Sequence, residues 1–198
     1  MLQQADISDA DRMEYAKAIS VSSRRLAALI TNILKLNKLE NQQIFPQHEF
    51  FDLSGQFCEN LLQFEDVWER KNLNIETEIE DDVSVCSDAE LLSLVWNNLI
   101  SNAVKFTPTG GTVRVSLQAD ETHVTVSVSD TGCGMTPEVG RHIFEKFYQG
   151  DTSHATQGNG LGLPLVKRVV DILQGEISVL STPGQGSTFT VKIRRNNT

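Results

Sequence analysis

The sequence predicts an α+β fold, a two-layer α/β sandwich that carries a long helix at its N-terminus. Three observations predict it. Residues 9–40 contain neither Gly nor Pro and place apolar residues at helical spacing. From residue 50 onward, strand-like alternation and helix-like runs follow one another. Two pairs of strands are separated only by short turns, which predicts hairpins and argues against a doubly wound parallel sheet.

The long N-terminal helix would carry a single apolar stripe. About 32 residues at 1.5 Å each make a rod of roughly 50 Å, with Asp9 or Asp11 as the expected cap. A stripe of this length needs a covering partner. Helices from a second chain or from sequence upstream would cover it; the alternative is packing on its own domain. The stripe residues are Ile19, Leu26, Ile30, Ile33 and Leu36.

Residues 41–49 contain Pro46 and break the helical periodicity, which predicts a linker. We therefore expect a helical region over 1–45 and a second domain over 46–198. The second domain alternates strand and helix signals. The predicted strands are 50–53, 73–79, 83–86, 112–118, 124–129, 176–180 and 188–193, and the predicted helices are 54–71 (capped by Ser54), 88–105, 137–144 and 161–173. Residues 149–159 are polar and predict a loop.

Composition excludes several classes of protein. The 198 residues carry a net charge of −9, which argues against binding a nucleic acid polymer or an anionic membrane but permits one nucleotide in a local pocket. No run of about 18 apolar residues predicts a membrane segment, and the start lacks signal-peptide features. The three cysteines lie far apart, which argues against disulfides or zinc. We expect a reduced, cytoplasmic chain, and leave open whether a longer protein is anchored to a membrane.

One predicted helix carries polar residues on a single face. Asn98, Asn102 and Lys105 follow one another at four and three residues, so they align on a helix. Amide oxygens can ligate Mg²⁺, and Lys can meet phosphate. The alternative is two solvated Asn side chains near a helix end.

Two glycine-rich segments follow. Asp130 ends a strand before Gly132, Gly134 and Met135; its carboxylate could accept the amino hydrogen of adenine, the glycines would let backbone approach the base, and Met135 could pack on it. A plain strand-ending turn is the alternative. Residues 158–163 hold three glycines before a helix, which favours phosphate binding. The preceding polar loop excludes a dinucleotide fingerprint, and no GK[ST] follows for a P-loop.

A last segment, residues 181–189, predicts a hairpin turn with two hydroxyl residues, Ser187 and Thr188, entering the final strand. Together and in this order, the segments resemble the ATP-binding domain of the GHKL (Bergerat) superfamily, specifically that of a sensor histidine kinase. Residues 98–108 resemble its N box, 130–134 its first glycine box, 143–148 its F box, 158–163 its second glycine box and 184–189 its third. The long helix resembles the second helix of the family's dimerisation and phosphotransfer hairpin, which forms a four-helix bundle as a dimer; the resemblance therefore implies a homodimer through the N-terminal helix.

The resemblance implies a site for ATP and Mg²⁺. Asp130 would hold the adenine amino group, with Thr188 in support through a water, and Asn102 would coordinate Mg²⁺ beside Asn98, with Lys105 on a phosphate. The base would be lined by Gly132, Gly134 and Met135. The phosphates would meet the motif Gly158, Gly160, Leu161, Gly162 and Leu163. Residues 149–159 would form a lid with Phe144 and Phe147 at its base; Lys146 would contact the γ-phosphate or be a surface charge.

The resemblance also distinguishes histidine kinases from the other enzymes of the superfamily. Superfamily ATP hydrolases and serine kinases carry a Glu where this chain has Asn98, and Glu90 is out of register. A neutral imidazole needs no strong base, so Asn98 favours γ-phosphoryl transfer to a histidine. None of His48, His123, His142 and His154 has the phosphoacceptor context, which implies an acceptor helix outside this chain and a response regulator receiver domain as partner. The alternatives are a non-catalytic, dimerising nucleotide-binding module, or a GHKL serine kinase or ATPase.

Overall fold

A computed structural model describes residues 8–41, 45–150 and 159–195. The fold is α+β, with a mixed sheet covered by helices on one face, as predicted. The elements in chain order are α1 (Asp9–Asn41), β1 (Glu49–Asp52), α2 (Leu53–Leu62), α3 (Glu65–Arg70), β2 (Asn74–Ile79), β3 (Ser84–Ser87), α4 (Ala89–Phe106), β4 (Thr112–Ala119), β5 (His123–Asp130), α5 (Pro137–His142), α6 (Gly162–Ile172), β6 (Glu176–Thr182) and β7 (Gly186–Arg194).

The predicted long helix is present as α1, and its C-terminal part packs against the rest of the chain. Leu36 and Leu39 are each 5% exposed and pack in the core, whereas Leu26 is 58% exposed. The Nε of Arg168 on α6 donates to the Leu39 carbonyl at 2.9 Å. At the start of the helix, the Ser8 hydroxyl accepts from the amide of Asp11 at 3.2 Å, so the expected cap by Asp9 or Asp11 is wrong.

The main sheet has five strands in the order β2-β4-β5-β7-β6. β2 runs parallel to β4, and the other neighbours are antiparallel. Strands β4 and β5 form one predicted hairpin and strands β6 and β7 form the other. Alternate side chains of the central strands are buried beneath α4 and α6. A separate antiparallel pair, β1 with β3, lies beside α2.

The region predicted as one helix over 54–71 consists of two. Helix α2 ends at Leu62, and α3 begins at Glu65 after a turn. The predicted cap is also wrong, because the Asp52 carboxylate accepts from the amide of Gly55 at 3.0 Å. Ser54 is buried instead, and its hydroxyl donates to the Glu80 carbonyl at 2.6 Å. This contact ties the start of α2 to the turn between β2 and β3.

Helix α4 begins where the sequence predicts. The Asp88 carboxylate accepts from the amide of Leu91 at 2.9 Å, which satisfies one of the free donors of the first turn. One face of α4 is buried, and Trp96 meets Phe57 of α2 edge-on with 5.6 Å between ring centroids. The opposite face carries the polar residues considered below. Among the described residues, no helix combines the length and the apolarity needed to cross a membrane.

Candidate functional site

Asp130 closes strand β5 as a buried carboxylate. The residue is 9% exposed, and its Oδ1 accepts from the amide of Gly132 at 2.8 Å. Burial raises the pKa of Asp130, while hydrogen bonds from the backbone of Gly132 and Ser187 act in the opposite direction. The remaining acceptor capacity of the carboxylate suits an amino group that donates a hydrogen bond.

The loop after Asp130 interlocks with the β6–β7 hairpin. Gly134 has a φ of +61°, and a Cβ there would collide with the carbonyl of Thr182. A Cβ on Gly186 would collide with the carbonyl of Asp130 itself. The amide of Gly184 donates to the Cys133 carbonyl at 2.7 Å. The first and third glycine-rich segments therefore form one closely packed unit.

Two serines complete the part of the site around Asp130. The Ser181 hydroxyl accepts from the amide of Met135 at 2.8 Å, and it lies 3.0 Å from the Ser187 hydroxyl. Ser187 pairs directly with Asp130 across β5 and β7, so their side chains share one face of the sheet. The sequence prediction did not include Ser181; the signal for it was its position opposite Ser187 in a predicted hairpin.

Thr188 lies on the other face of the sheet. It pairs with Ser129, and the two hydroxyl oxygens are 2.8 Å apart. Side chains alternate along a strand, so Thr188 points away from the Asp130 carboxylate. The expected support of Asp130 by Thr188 is therefore wrong, and Ser187 is the hydroxyl residue that shares the face of Asp130.

Helix α4 supplies the second part of the site. The Asn98 side-chain amide donates to the Leu94 carbonyl at 2.7 Å, and its Oδ1 lies where a Cβ on Gly162 would be 2.8 Å away. Asn98 thus contacts the first residue of α6. The Lys105 ammonium lies 4.4 Å from the centre of the Phe106 ring. Asn98, Asn102 and Lys105 lie along one face of α4, as the spacing requires.

Asn102 has the chemistry expected of a metal ligand that acts together with phosphates. It is half-buried, and its amide has no hydrogen-bond partner within the described part of the chain. Those same residues contain no cluster of three His, Cys, Asp or Glu side chains able to hold a metal. Mg²⁺ commonly takes few protein ligands and fills its other positions with phosphate oxygens and water. The residues present fit an ion that arrives with a nucleotide.

The segment before α6 is held in place by contacts between its backbone and that of Phe147. Gly160 has a φ of +65°, and its carbonyl accepts from the amide of Phe147 at 2.8 Å. A Cβ on Gly160 would come within 2.6 Å of the Phe147 carbonyl carbon. Leu161 is buried and Leu163 is half-buried. Gly158 and residues 151–157 of the predicted lid lie outside the described residues.

Residues of the predicted F box contact two different parts of the molecule, the core and the long helix. Phe144 packs partly against the core, whereas Phe147 is 60% exposed and has a φ of +64°. The ammonium of Lys146 lies 2.6 Å from the carboxylate of Glu40, in the last turn of α1. The structure therefore places Lys146 in an ion pair with the long helix.

The site has two ends, one around Asp130 and the other on the polar face of α4, and they meet at one backbone contact. A Cβ on Gly132 would come within 2.6 Å of the Phe106 carbonyl oxygen, so the loop after Asp130 lies directly on the C-terminal turn of α4. The buried carboxylate of Asp130 and the polar face of Asn102 and Lys105 are joined through this turn. A nucleotide has a base that donates hydrogen bonds and a polyanionic tail, and the two ends offer the matching chemistry.

Comparison with known proteins gives the same family from several directions. Residues 87–197 match the model of the histidine kinase-, DNA gyrase B- and HSP90-like ATPase family. The sensor-like histidine kinase SenX3 of Mycobacterium tuberculosis is 31% identical over 98% of this chain and 47% of its own length. The circadian input-output histidine kinase CikA of Synechococcus elongatus is 39% identical over 91% of this chain and 24% of its own length.

A solved structure of full-length ShkA in complex with AMPPNP aligns with 96% of this chain and 40% of its own chain, with a TM-score of 0.80 and 27% identity. The aligned region includes the long helix as well as the sheet. The chain spans less than half the length of SenX3 and CikA.

Proposed function

The chain belongs to the family of histidine kinase-, DNA gyrase B- and HSP90-like ATPases, and from that membership we propose that it is the ATP-binding kinase part of a two-component sensor histidine kinase. It would transfer the γ-phosphoryl group of ATP to a histidine on a helix that this sequence does not contain. The names of its relatives as sensor histidine kinases support this proposal.

The proposed nucleotide pose uses both ends of the site. The Asp130 carboxylate accepts from the adenine amino group, and Gly132 and Gly134 leave room for the base beside Met135. The triphosphate extends toward α4 and the N-terminus of α6, where Lys105 and the backbone amides of the first turn of α6 favour negative charge. The contact between Asn98 and Gly162 places the N-terminus of α6 against the polar face of α4.

Asn102 is the proposed Mg²⁺ ligand. When bound, the ion would supply charge neutralisation between the phosphates. The amide oxygen of Asn102 binds a cation without adding a negative charge next to the γ-phosphate, and no carboxylate of α4 approaches it. The remaining role of this chain is to hold the γ-phosphoryl group in place for attack from outside.

The observation that carries the choice of acceptor is Asn98. An Asn amide cannot remove a proton, and the only acidic residue of α4, Glu90, is exposed and two turns away. A serine hydroxyl or a water molecule benefits from a general base, whereas the lone pair of a neutral imidazole attacks phosphorus without one. A site without a base on this helix therefore favours histidine as the acceptor over hydrolysis or serine phosphorylation.

We further propose two partners. The receiver domain of a response regulator would take the phosphoryl group from the acceptor histidine. A second copy of the chain would cover the apolar residues exposed on α1, of which Ile19, Leu26 and Ile30 are each about half exposed or more (51%, 58% and 48%). The domain division at residue 45 belongs to the same proposal, with α1 as the dimerising part.

A phosphotransfer assay tests the proposal. The chain is mixed with γ-labelled Mg-ATP and with a longer version of the same protein that contains the upstream helix and carries Asn102→Ala. We expect acid-labile, base-stable label on the longer protein, because phosphohistidine has that stability. The matched control replaces the chain by its own Asn102→Ala variant, so that neither partner can supply the Mg-ATP site.

The other outcomes assign other functions. Acid-stable label would indicate a serine or threonine kinase, and release of free phosphate without label would indicate an ATPase. Nucleotide binding and dimerisation without any transfer, in the mixture and in an intact longer protein alike, would indicate a non-catalytic interaction module. Each of these results contradicts the histidine kinase proposal.

A further inference from the structure

Lys71 makes an unusual set of contacts for a lysine that belongs to none of the predicted motifs. It follows α3 and is half-buried. Its ammonium donates to three backbone carbonyls, those of Val104 at 2.7 Å, Lys105 at 3.0 Å and Thr107 at 2.6 Å. An ammonium has three N–H donors and no acceptor, so these contacts use all of its hydrogen-bonding capacity.

The three carbonyls belong to the C-terminal turn of α4 and the residue that follows it. Carbonyls at a helix C-terminus have no partner inside the helix and lie at the negative end of its dipole. Burial lowers the pKa of Lys71, because water is partly removed from the ammonium. The carbonyls replace that water, which fixes the turn from a position more than thirty residues away in the sequence.

The turn that Lys71 holds is the junction between the two ends of the site. Asn102 and Lys105 lie in or next to it, and the Phe106 carbonyl abuts Gly132 on the other side. The backbone of Lys71 also accepts from the amide of Gly110 at 3.0 Å, so both the side chain and the main chain hold this junction. A displacement of the turn would change the distance between Asp130 and Asn102.

We propose that Lys71 is a positioning residue for the nucleotide site: it sets the distance between the adenine-binding and the phosphate-binding ends. The inference rests on the proposed function, since it concerns how this site binds ATP. It makes a specific prediction. A ligand that contacts one end only is insensitive to Lys71, whereas a ligand that contacts both ends depends on it.

The test compares Mg-ATP with adenosine on the whole chain. Mg-ATP binding is measured by titration calorimetry and adenosine binding by ligand-observed NMR, for the wild type, Lys71→Met and the control Lys167→Met. Lys167 is an exposed lysine paired with Asp171 on α6. We expect Lys71→Met to weaken Mg-ATP binding about tenfold and adenosine binding less than about twofold, and Lys167→Met to change neither.

Two results would overturn the inference: equal losses for both ligands, or unchanged binding of both with only a lower melting temperature. The second result would make Lys71 a helix cap and nothing more. If Lys71→Met does not fold, Lys71→Gln keeps a shorter, neutral donor, and an unchanged ratio of the two affinities in that variant contradicts the inference. A wild-type chain that binds no Mg-ATP would instead refute the proposed function, and the inference with it.

Discussion

The two ends of the candidate site are built in different ways. Around Asp130, three stretches of backbone touch one another directly, and the glycines at 134 and 186 are required because a Cβ would strike a carbonyl. Around Asn98, Asn102 and Lys105, the site is a row of side chains on one helix, held at its C-terminus by Lys71. At the first end, close backbone packing leaves almost no room for the chain to shift. At the second end, the positions of the side chains depend on the placement of a helix. Substitutions at the first end should therefore cause large losses of stability or nucleotide binding, whereas substitutions at the second end should cause smaller, graded losses.

The largest effect is expected at Gly134. Gly134→Ala would place a methyl group against the Thr182 carbonyl at a φ of +61°, so we expect a loss of at least about 3 kcal/mol in the free energy of unfolding. Gly110→Ala is the matched control, because its φ is +77° and no atom lies within 4 Å of the added Cβ. It should cost about 1 kcal/mol. Denaturant unfolding measures both, and equal losses would mean that backbone strain alone, not close packing, restricts this loop.

The next effect concerns Asp130 and separates binding from stability. Asp130→Asn keeps an acceptor for the Gly132 amide but presents a weaker one to adenine, so ATP affinity should fall about tenfold or more. Because burial raises the pKa of Asp130 above its ordinary 3.8, the folded state binds the proton more tightly than the unfolded state. The ionised carboxylate therefore destabilises the fold at neutral pH.

The same variant should accordingly melt at a higher temperature than the wild type at pH 7. This gain is expected to shrink as the pH falls through the raised pKa of Asp130 and to vanish only below the ordinary 3.8, where the carboxyl is protonated in both states. Calorimetric melting of both proteins from pH 7 to pH 4 would check this pH dependence. Asp88→Asn is not a suitable control, because the Asp88 carboxylate caps α4. A variant that is less stable than the wild type at pH 7 would contradict the assignment of Asp130 as a carboxylate kept at a cost for binding.

The smallest effect distinguishes two neighbouring hydroxyl residues. Ser187 shares a face with Asp130, and Thr188 lies on the opposite face against Ser129. Ser187→Ala should weaken ATP binding about threefold to tenfold through the loss of one hydrogen-bonding group, and Thr188→Val should leave it unchanged. Titration with ATP measures both. A larger effect at Thr188 than at Ser187 would restore the role that the sequence predicted for Thr188.

The errors of sequence interpretation have a common physical origin. The long helix, the start of α4 and the two hairpins were predictable because each follows from local periodicity, a local cap or a short turn. Thr188 was misplaced by one residue, and in a strand one residue reverses the face. The cap of α2 was assigned to Ser54 because the chain offers two capping residues close together: Asp52 makes the local contact with Gly55, whereas the Ser54 hydroxyl donates to the distant Glu80 carbonyl, which no local pattern indicates.

Lys71 is the clearest case of a residue that the sequence could not assign. Its partners are backbone carbonyls, which every residue has, so no pairing of residue types reveals them. Ser181 was hidden for a related reason, because its role is to accept from the amide of Met135 after the chain has folded back on itself. The residues predicted for the site were those that belong to sequence motifs, and the residues outside the motifs that position them were not found.

The pairing of β5 with β7 has a consequence for how the site comes into existence. The β4–β5 and β6–β7 hairpins are local and form on the microsecond scale, but Ser129 and Thr188, which join them, are 59 residues apart. Closing that long interval is entropically slower, so the face shared by Asp130 and Ser187 is assembled only when the two hairpins dock. A chain with both hairpins formed but undocked would lack the end of the site that is proposed to bind adenine. ATP that binds the docked arrangement alone would therefore favour the completed sheet over such an intermediate by mass action, and so act as a ligand for folding as well as for chemistry.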